Sequence, residues 1–225
     1  YKTTGLTSDL VNMIIDKSYK FFNPKFGLSF KLNSNSIIYG SYSRANREPS
    51  RSDYESNINI RPEQLNDFEL GWRYMKNGLK FNVNSYYMLY NEQLVLTGAL
   101  DDVGSPLRDN SGDSYRLGLE IDADITLSDK FSIRPNASFS TNKNRDFFST
   151  INGSLQDLGN TDITFSPNVV IGNIFTYKPL DNFQVSFLSK YVGEQLMSNL
   201  NSAVTSADVL NSFFTSDLNV VYQIN

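Results

Sequence analysis

The chain has 225 residues, 40% hydrophobic and 13% aromatic, enough for one domain. It contains no cysteine and no histidine, which excludes disulfide frameworks, thiolate nucleophiles, Cys/His zinc sites and histidine-based catalytic triads. A net charge of -4 without a basic cluster gives no footprint for a phosphate backbone, so nucleic acid is not an expected partner.

Nine segments alternate apolar with polar residues, the period of a half-buried or membrane-facing strand. In chain order, Lys25 to Leu32 and Ile37 to Ser43 flank a turn at Asn33–Ser36. Asn66 to Tyr74 is the cleanest: Phe68, Leu70, Trp72 and Tyr74 share one parity, while Asp67, Glu69, Gly71 and Arg73 share the other. Asn77-Gly78 marks a hairpin into Leu79 to Leu89. Tyr115 to Ile125 then puts Leu117, Leu119 and Ile121 against Arg116, Gly118, Glu120 and Asp122, and turns at Ser128-Asp129-Lys130 into Phe131 to Phe139. Pro135 lacks the N–H a ladder needs, so either a bulge lies there or the strand is drawn wrongly. Asn168 to Tyr177, Phe183 to Tyr191 and Phe213 to Ile224 complete the set.

The connections alternate too. Turns of a few residues occupy one end, and polar stretches at residues 1–23, 44–64, 91–113, 142–166 and 193–212, read as loops, all fall at the other. Aromatic residues gather at both ends of the strands: Trp72, Tyr74, Phe81, Phe131, Tyr177 and Phe183 by the turns, and Tyr42, Tyr87, Tyr90, Tyr115, Phe139 and Tyr191 by the long connections. Girdles at two water–lipid boundaries have this form. A soluble sandwich alternates in the same way, but several loops of about twenty residues at one end count against it. The expected fold is therefore all-β, an antiparallel up-and-down transmembrane β-barrel of which about nine strands are present. An opening at Tyr1 and an end at Asn225 inside an alternating run point to a piece of a longer chain.

The stretches SIIYGSYSRANREPSRSDY, RPEQLNDFELGWRY, FNVNSYYMLYNEQLV and YRLGLEIDADI resemble the later barrel strands of TonB-dependent outer-membrane receptors, most strongly over residues 19–126. The resemblance implies a barrel of about 22 strands in the bacterial outer membrane. It also implies a plug domain elsewhere in the parent chain and uptake of a scarce nutrient, such as an iron–siderophore complex, energised through TonB. Residues 1–225 would be one part of that barrel domain, without the plug and the closing strands, and two unpaired edges would keep it from acting as a transporter alone. The implied partners are outer-membrane lipid, the plug, TonB through the parent chain and a small-molecule chelate cargo. No cofactor is implied and no enzymatic activity. The absence of histidine argues against haem as cargo.

Two sets of residues follow. Arg44, Arg47, Arg51 and Tyr54 open the first long connection after a strand, where guanidinium forks beside an aromatic face suit an anionic chelate. Asp67, Glu69, Arg73, Arg116, Glu120 and Asp122 take the parity opposite the apolar residues and are expected to line the lumen, pairing along the wall or with the plug. Asp101-Asp102 and Asp109 to Asp113 lack the spacing and closing glutamate of a calcium loop and read as turns. Ser140-x-x-Lys143 follows a strand rather than opening a helix and is set aside, and Asn136-Ala137-Ser138 and Asn152-Gly153-Ser154 carry no weight as glycosylation acceptors in a bacterial barrel. Two other readings fit the same strands: a passive or adhesive outer-membrane barrel, and a secreted soluble β-sandwich that binds glycans.

Overall fold

The computed structural model describes residues 2–6, 12–100, 104, 106–151, 154–197 and 209–224. Nine strands form one antiparallel sheet in strict sequence order. They are β1 (Lys25–Asn33), β2 (Ser36–Arg47), β3 (Glu63–Lys76), β4 (Leu79–Asn91), β5 (Ser114–Ser128), β6 (Phe131–Asn144), β7 (Val169–Leu180), β8 (Phe183–Val192) and β9 (Phe213–Tyr222). Each pairs with its sequence neighbour, the up-and-down order that hairpin connections impose. All nine alternating segments are thus strands, and β2, β3 and β6 run several residues further into the long connections than their alternation does.

Register carries the alternation across the sheet. Leu70 pairs with Ser85, Ser85 with Leu119 and Leu119 with Phe139, while Glu69 pairs with Tyr86 and Tyr86 with Gly118. One face is therefore apolar over many strands and the other polar and ionic. The apolar face is uncovered: Leu70 is 65% exposed, Leu28 68% and Leu218 69%. No second sheet packs against it among the described residues, which removes the sandwich reading, because a sandwich would bury these side chains. On β5 the outward residues from Tyr115 to Leu127 cover about 40 Å of strand at ~3.3 Å per residue. At the tilt of membrane strands this reaches a height of about 25–30 Å. β1 and β9 pair on one side only, so the sheet has two open edges.

Three expectations need correction. No bulge lies at Pro135: the register of β6 with β5 is unchanged from Ile133 to Asn136, with pairing interrupted only at Arg134 and Pro135, and the β7 ladder runs through both. The sheet omits one stretch of a single ladder instead of inserting a residue, and the irregularity falls between Phe131 and Ser132. Tyr90 does not belong to the outer girdle. It pairs with Ser114 and Leu65 on the polar face, its hydroxyl 3.8 Å from the Met88 sulfur.

The third concerns the long connections, whose described residues include strand pairs and a helix. Lys2–Leu6 pairs with Asn12–Asp16, Leu94–Leu100 with Pro106–Asn110, Phe148–Ile151 with Ser154–Asp157, and Gln195–Leu196 with Val209–Leu210. A helix, α1 (Arg51–Ser56), follows β2. Ser50 caps it, accepting from the Asp53 N–H while the Asp53 carboxylate accepts from the Ser50 N–H. Ser50-x-x-Asp53 is a capping-box spacing visible in the sequence.

Candidate functional site: the loop canopy and the polar wall

Among the described residues, the one cluster of buried hydrophobic side chains sits in the loops. Ile15 of the first connection, Tyr54 and Ile60 of the second and Leu94 of the third are between 1% and 6% exposed and form one cluster. Polar ties surround it. The Leu94 N–H donates to Glu63 Oε2 at 2.8 Å, Asn57 Nδ2 to Asp109 Oδ1 at 3.0 Å and the Arg61 N–H to Asn110 Oδ1 at 2.8 Å, and Arg61 forms a 2.8 Å ion pair with Glu92. The Asp109–Asp113 stretch is thus a structural tie between loops, with Gly112 supplying a positive φ of 77°. Asp101 and Asp102 lie outside the described residues, as do Asn152 and Gly153.

This packing decides where the four proposed cargo residues lie, and they do not converge. Tyr54 is 2% exposed in the loop cluster, its hydroxyl bonded to that of Tyr19. Arg51 is ion-paired with Glu55 at 2.8 Å and lies against Gly5. Arg47 is exposed at the end of β2, opposite Glu63. Arg44 belongs to the strand and to the outward parity, its Nε donating to Asn66 Oδ1 at 2.9 Å beside the Tyr42 hydroxyl on the same oxygen.

Tyr54→Ala is expected to loosen three connections at once. Truncating a buried aromatic costs about 3–5 kcal/mol, and here the loss falls on the canopy alone. Hydrogen exchange in the full-length protein should quicken in residues 12–16, 51–60 and 92–95 while β3 to β6 keep their protection. Faster exchange at α1 only would contradict a shared core.

The six inward residues do share one face. Ser41 Oγ donates to Glu69 at 3.2 Å, Asn82 Nδ2 donates to Asp122 at 3.0 Å, and the Arg73 guanidinium lies 4.5 Å from the centre of the Tyr39 ring. Tyr39 lies flat across Gly71 and donates to Asn84 Oδ1 at 3.1 Å, and Tyr86 lies across Gly118 in the same way. These two glycines are slots that let large side chains lie down on the wall.

Above them a concavity of about 380 Å³ opens, lined by Glu69, Tyr86, Arg116, Glu120 and Asn142 and roofed by Phe165. Arg116 Nη1 donates to Asn142 Oδ1 at 3.2 Å and to Ser166 Oγ at 2.9 Å, which ties the wall to the roof segment. Phe165 is half exposed with a φ of 51°, a backbone state that bulky residues rarely adopt, and its N–H donates to Leu196 O at 2.8 Å. Neither the roof nor the glycine slots could be found from periodicity, because both depend on register and on segments more than twenty residues apart. The arrangement offers polar and aromatic contacts for binding. Among the described residues no group of three acidic side chains is placed to hold a metal.

The family model described as TonB dependent receptor-like, beta-barrel, matches residues 1–225. Among solved structures, the siderophore receptor PiuA from Acinetobacter baumannii is similar at 19% identity and a TM-score of 0.75, over 97% of this chain and 32% of that one. The ferric-catecholate import receptor Fiu from E. coli is similar at 14% identity and a TM-score of 0.69, over 98% and 32%. The copper transporter OprC is similar at 16% identity and a TM-score of 0.68, over 89% and 31%. The chain thus spans about a third of the length of each, and at these identities the likeness speaks for the fold alone. No curated protein matches the sequence.

Proposed function

The chain belongs to the TonB-dependent receptor β-barrel family, and from that premise we propose that it is part of the wall of an outer-membrane receptor importing an iron–siderophore complex, with energy delivered through TonB. The carrying observation is a single nine-stranded sheet whose outward face exposes apolar side chains from β1 to β9, while Asp67, Glu69, Arg73, Arg116, Glu120 and Asp122 of β3 and β5 lie on its inward face. That division suits a sheet with lipid on one side and a watery lumen on the other. Residues 1–225 form one stretch of the barrel domain, and the plug belongs to the rest of the parent chain. The inward set from Asp67 to Asp122 faces the plug, and the concavity at Arg116, Glu120 and Phe165 meets cargo on its way past it. Arg47 and Arg51 contribute at the rim. Transport of this kind needs shape and release rather than bond-making, and no residue is assigned a catalytic role.

The test is uptake of radiolabelled ferric siderophores by a strain lacking the parent gene, complemented with the full-length gene. Restored uptake that disappears when TonB is deleted is the expected result. Restored permeability that survives loss of TonB would replace the reading with a passive barrel, and no uptake of any iron chelate would remove iron as the cargo. In the complemented strain Arg116→Ala frees the roof segment and is expected to lower uptake about tenfold at low substrate, the size of effect a lost charged hydrogen-bond pair gives. Growth on limiting chelate reads it out.

A further inference from the structure

The outward face at its loop end carries charge that neither lumen nor cargo can use. Arg145 follows β6 on that side, its guanidinium 4.9 Å from the centre of the Tyr115 ring and its Nη2 donating to the Tyr87 hydroxyl at 3.1 Å. Tyr87 and Tyr115, packed edge to face at 6.2 Å, belong to the apolar parity of β4 and β5. Arg44 sits at the level of Tyr115, three strands away: it pairs with Asn66, Asn66 with Leu89 and Leu89 with Tyr115. At ~4.8 Å per strand, Arg44 stands about 14 Å from the strand position of Tyr115, over whose ring the Arg145 guanidinium lies.

Two neighbouring charges of this rim have partners. Lys143 is ion-paired with Asp162 at 2.6 Å, and Asp113 accepts from Asn91 Nδ2 at 2.9 Å. Neither Arg44 nor Arg145 is within ion-pair distance of a carboxylate among the described residues. Each is anchored through one part of the guanidinium, which leaves further N–H donors on each arginine at the loop end of the apolar band. What lies beyond that band on the outward side is the headgroup layer, where a guanidinium is tolerated and an anionic phosphate matches its fork.

We propose that Arg44 and Arg145, braced by Asn66 and by the Tyr87–Tyr115 pair, form a docking rim for anionic phosphate-bearing headgroups of membrane lipid. The proposal rests on the membrane reading of the outward face and is independent of which cargo is carried. Each arginine takes its own phosphate, and the tyrosines set the depth at which the barrel rides in the leaflet.

The test uses the full-length receptor in nanodiscs of phosphatidylcholine containing phosphatidylglycerol, with retained lipids counted by native mass spectrometry. The expected result is enrichment of phosphatidylglycerol around the wild type, reduced about fivefold for each arginine removed in Arg44→Gln and Arg145→Gln, and kept when both are replaced by lysine. Enrichment should also fall in the wild type at high salt, a readout that needs no variant. Equal enrichment in wild type and double glutamine variant, or none in the wild type, overturns the proposal. So does loss of the lipid to millimolar inorganic phosphate, which would mark a free-anion site. A wild type that does not enter the discs sinks the membrane reading as well, whereas failed siderophore uptake with lipid enrichment intact sinks only the cargo.

Discussion

Gly71→Ala is expected to destabilise the barrel by about 1–3 kcal/mol, the range for forcing an extra methyl into a filled site. A Cβ at this position would lie 2.1 Å from the Tyr39 Cζ and 2.3 Å from its hydroxyl, so the ring must leave the slot. Two contacts go with it: the hydrogen bond to Asn84 and the Arg73 guanidinium over the ring. Folding of the full-length receptor into lipid bilayers against a urea series, followed by heat-dependent gel mobility, measures the change. The double variant Gly71→Ala with Tyr39→Ser should recover the steric part of the loss, since the methyl then has room, while the two contacts of the ring stay lost. No recovery would mean that Gly71 matters for its backbone and not for the ring above it. The Tyr86–Gly118 pair, with a would-be Cβ at 2.4 Å, should behave alike.

Leu119→Arg should cost about 2–4 kcal/mol by the same measurement, because Leu119 lies mid-strand on the outward face between Ser85 and Phe139. Leu127→Arg, outward but beside the β5–β6 turn, should cost about 0–1 kcal/mol, since arginine there reaches the interface. Glu120→Gln, one residue away from Leu119 on the opposite face, should change stability little. The depth dependence is the informative part. An apolar face covered by protein would penalise arginine according to local packing, without regard to distance from the turn. Equal losses at Leu119 and Leu127 would therefore contradict lipid contact.

The sheet was legible in the sequence because a single rule governs it. Where one face meets lipid or a core, a charge on that parity is expelled, so Phe68, Leu70, Trp72 and Leu119 declare their side and place Glu69, Arg73, Arg116 and Glu120 on the other. Parity weakens near strand ends, where both faces reach water: Tyr90 lies among aromatics of the outer girdle in sequence yet faces inward, and Arg44 lies in a polar stretch yet is the ninth residue of β2. The loops followed a different logic. Tyr54 looks like an exposed aromatic among polar neighbours, and only the convergence of Ile15, Ile60 and Leu94 from three connections buries it. Contacts between segments some forty residues apart leave no local period. The Ser50-x-x-Asp53 box was the one local signal of α1, and at six residues the helix is too short to show an apolar stripe.

The shared cluster of Ile15, Tyr54, Ile60 and Leu94 has a bearing on how such receptors diverge. Connections that hang separately from a rim can be exchanged one at a time between relatives, and each can drift to suit a new ligand. Here the first three are interlocked. A chimera that imports only one of them would arrive without its counterparts, so a working transplant has to carry all three as a unit, and natural variation in any one of them is bounded by what the other two accept.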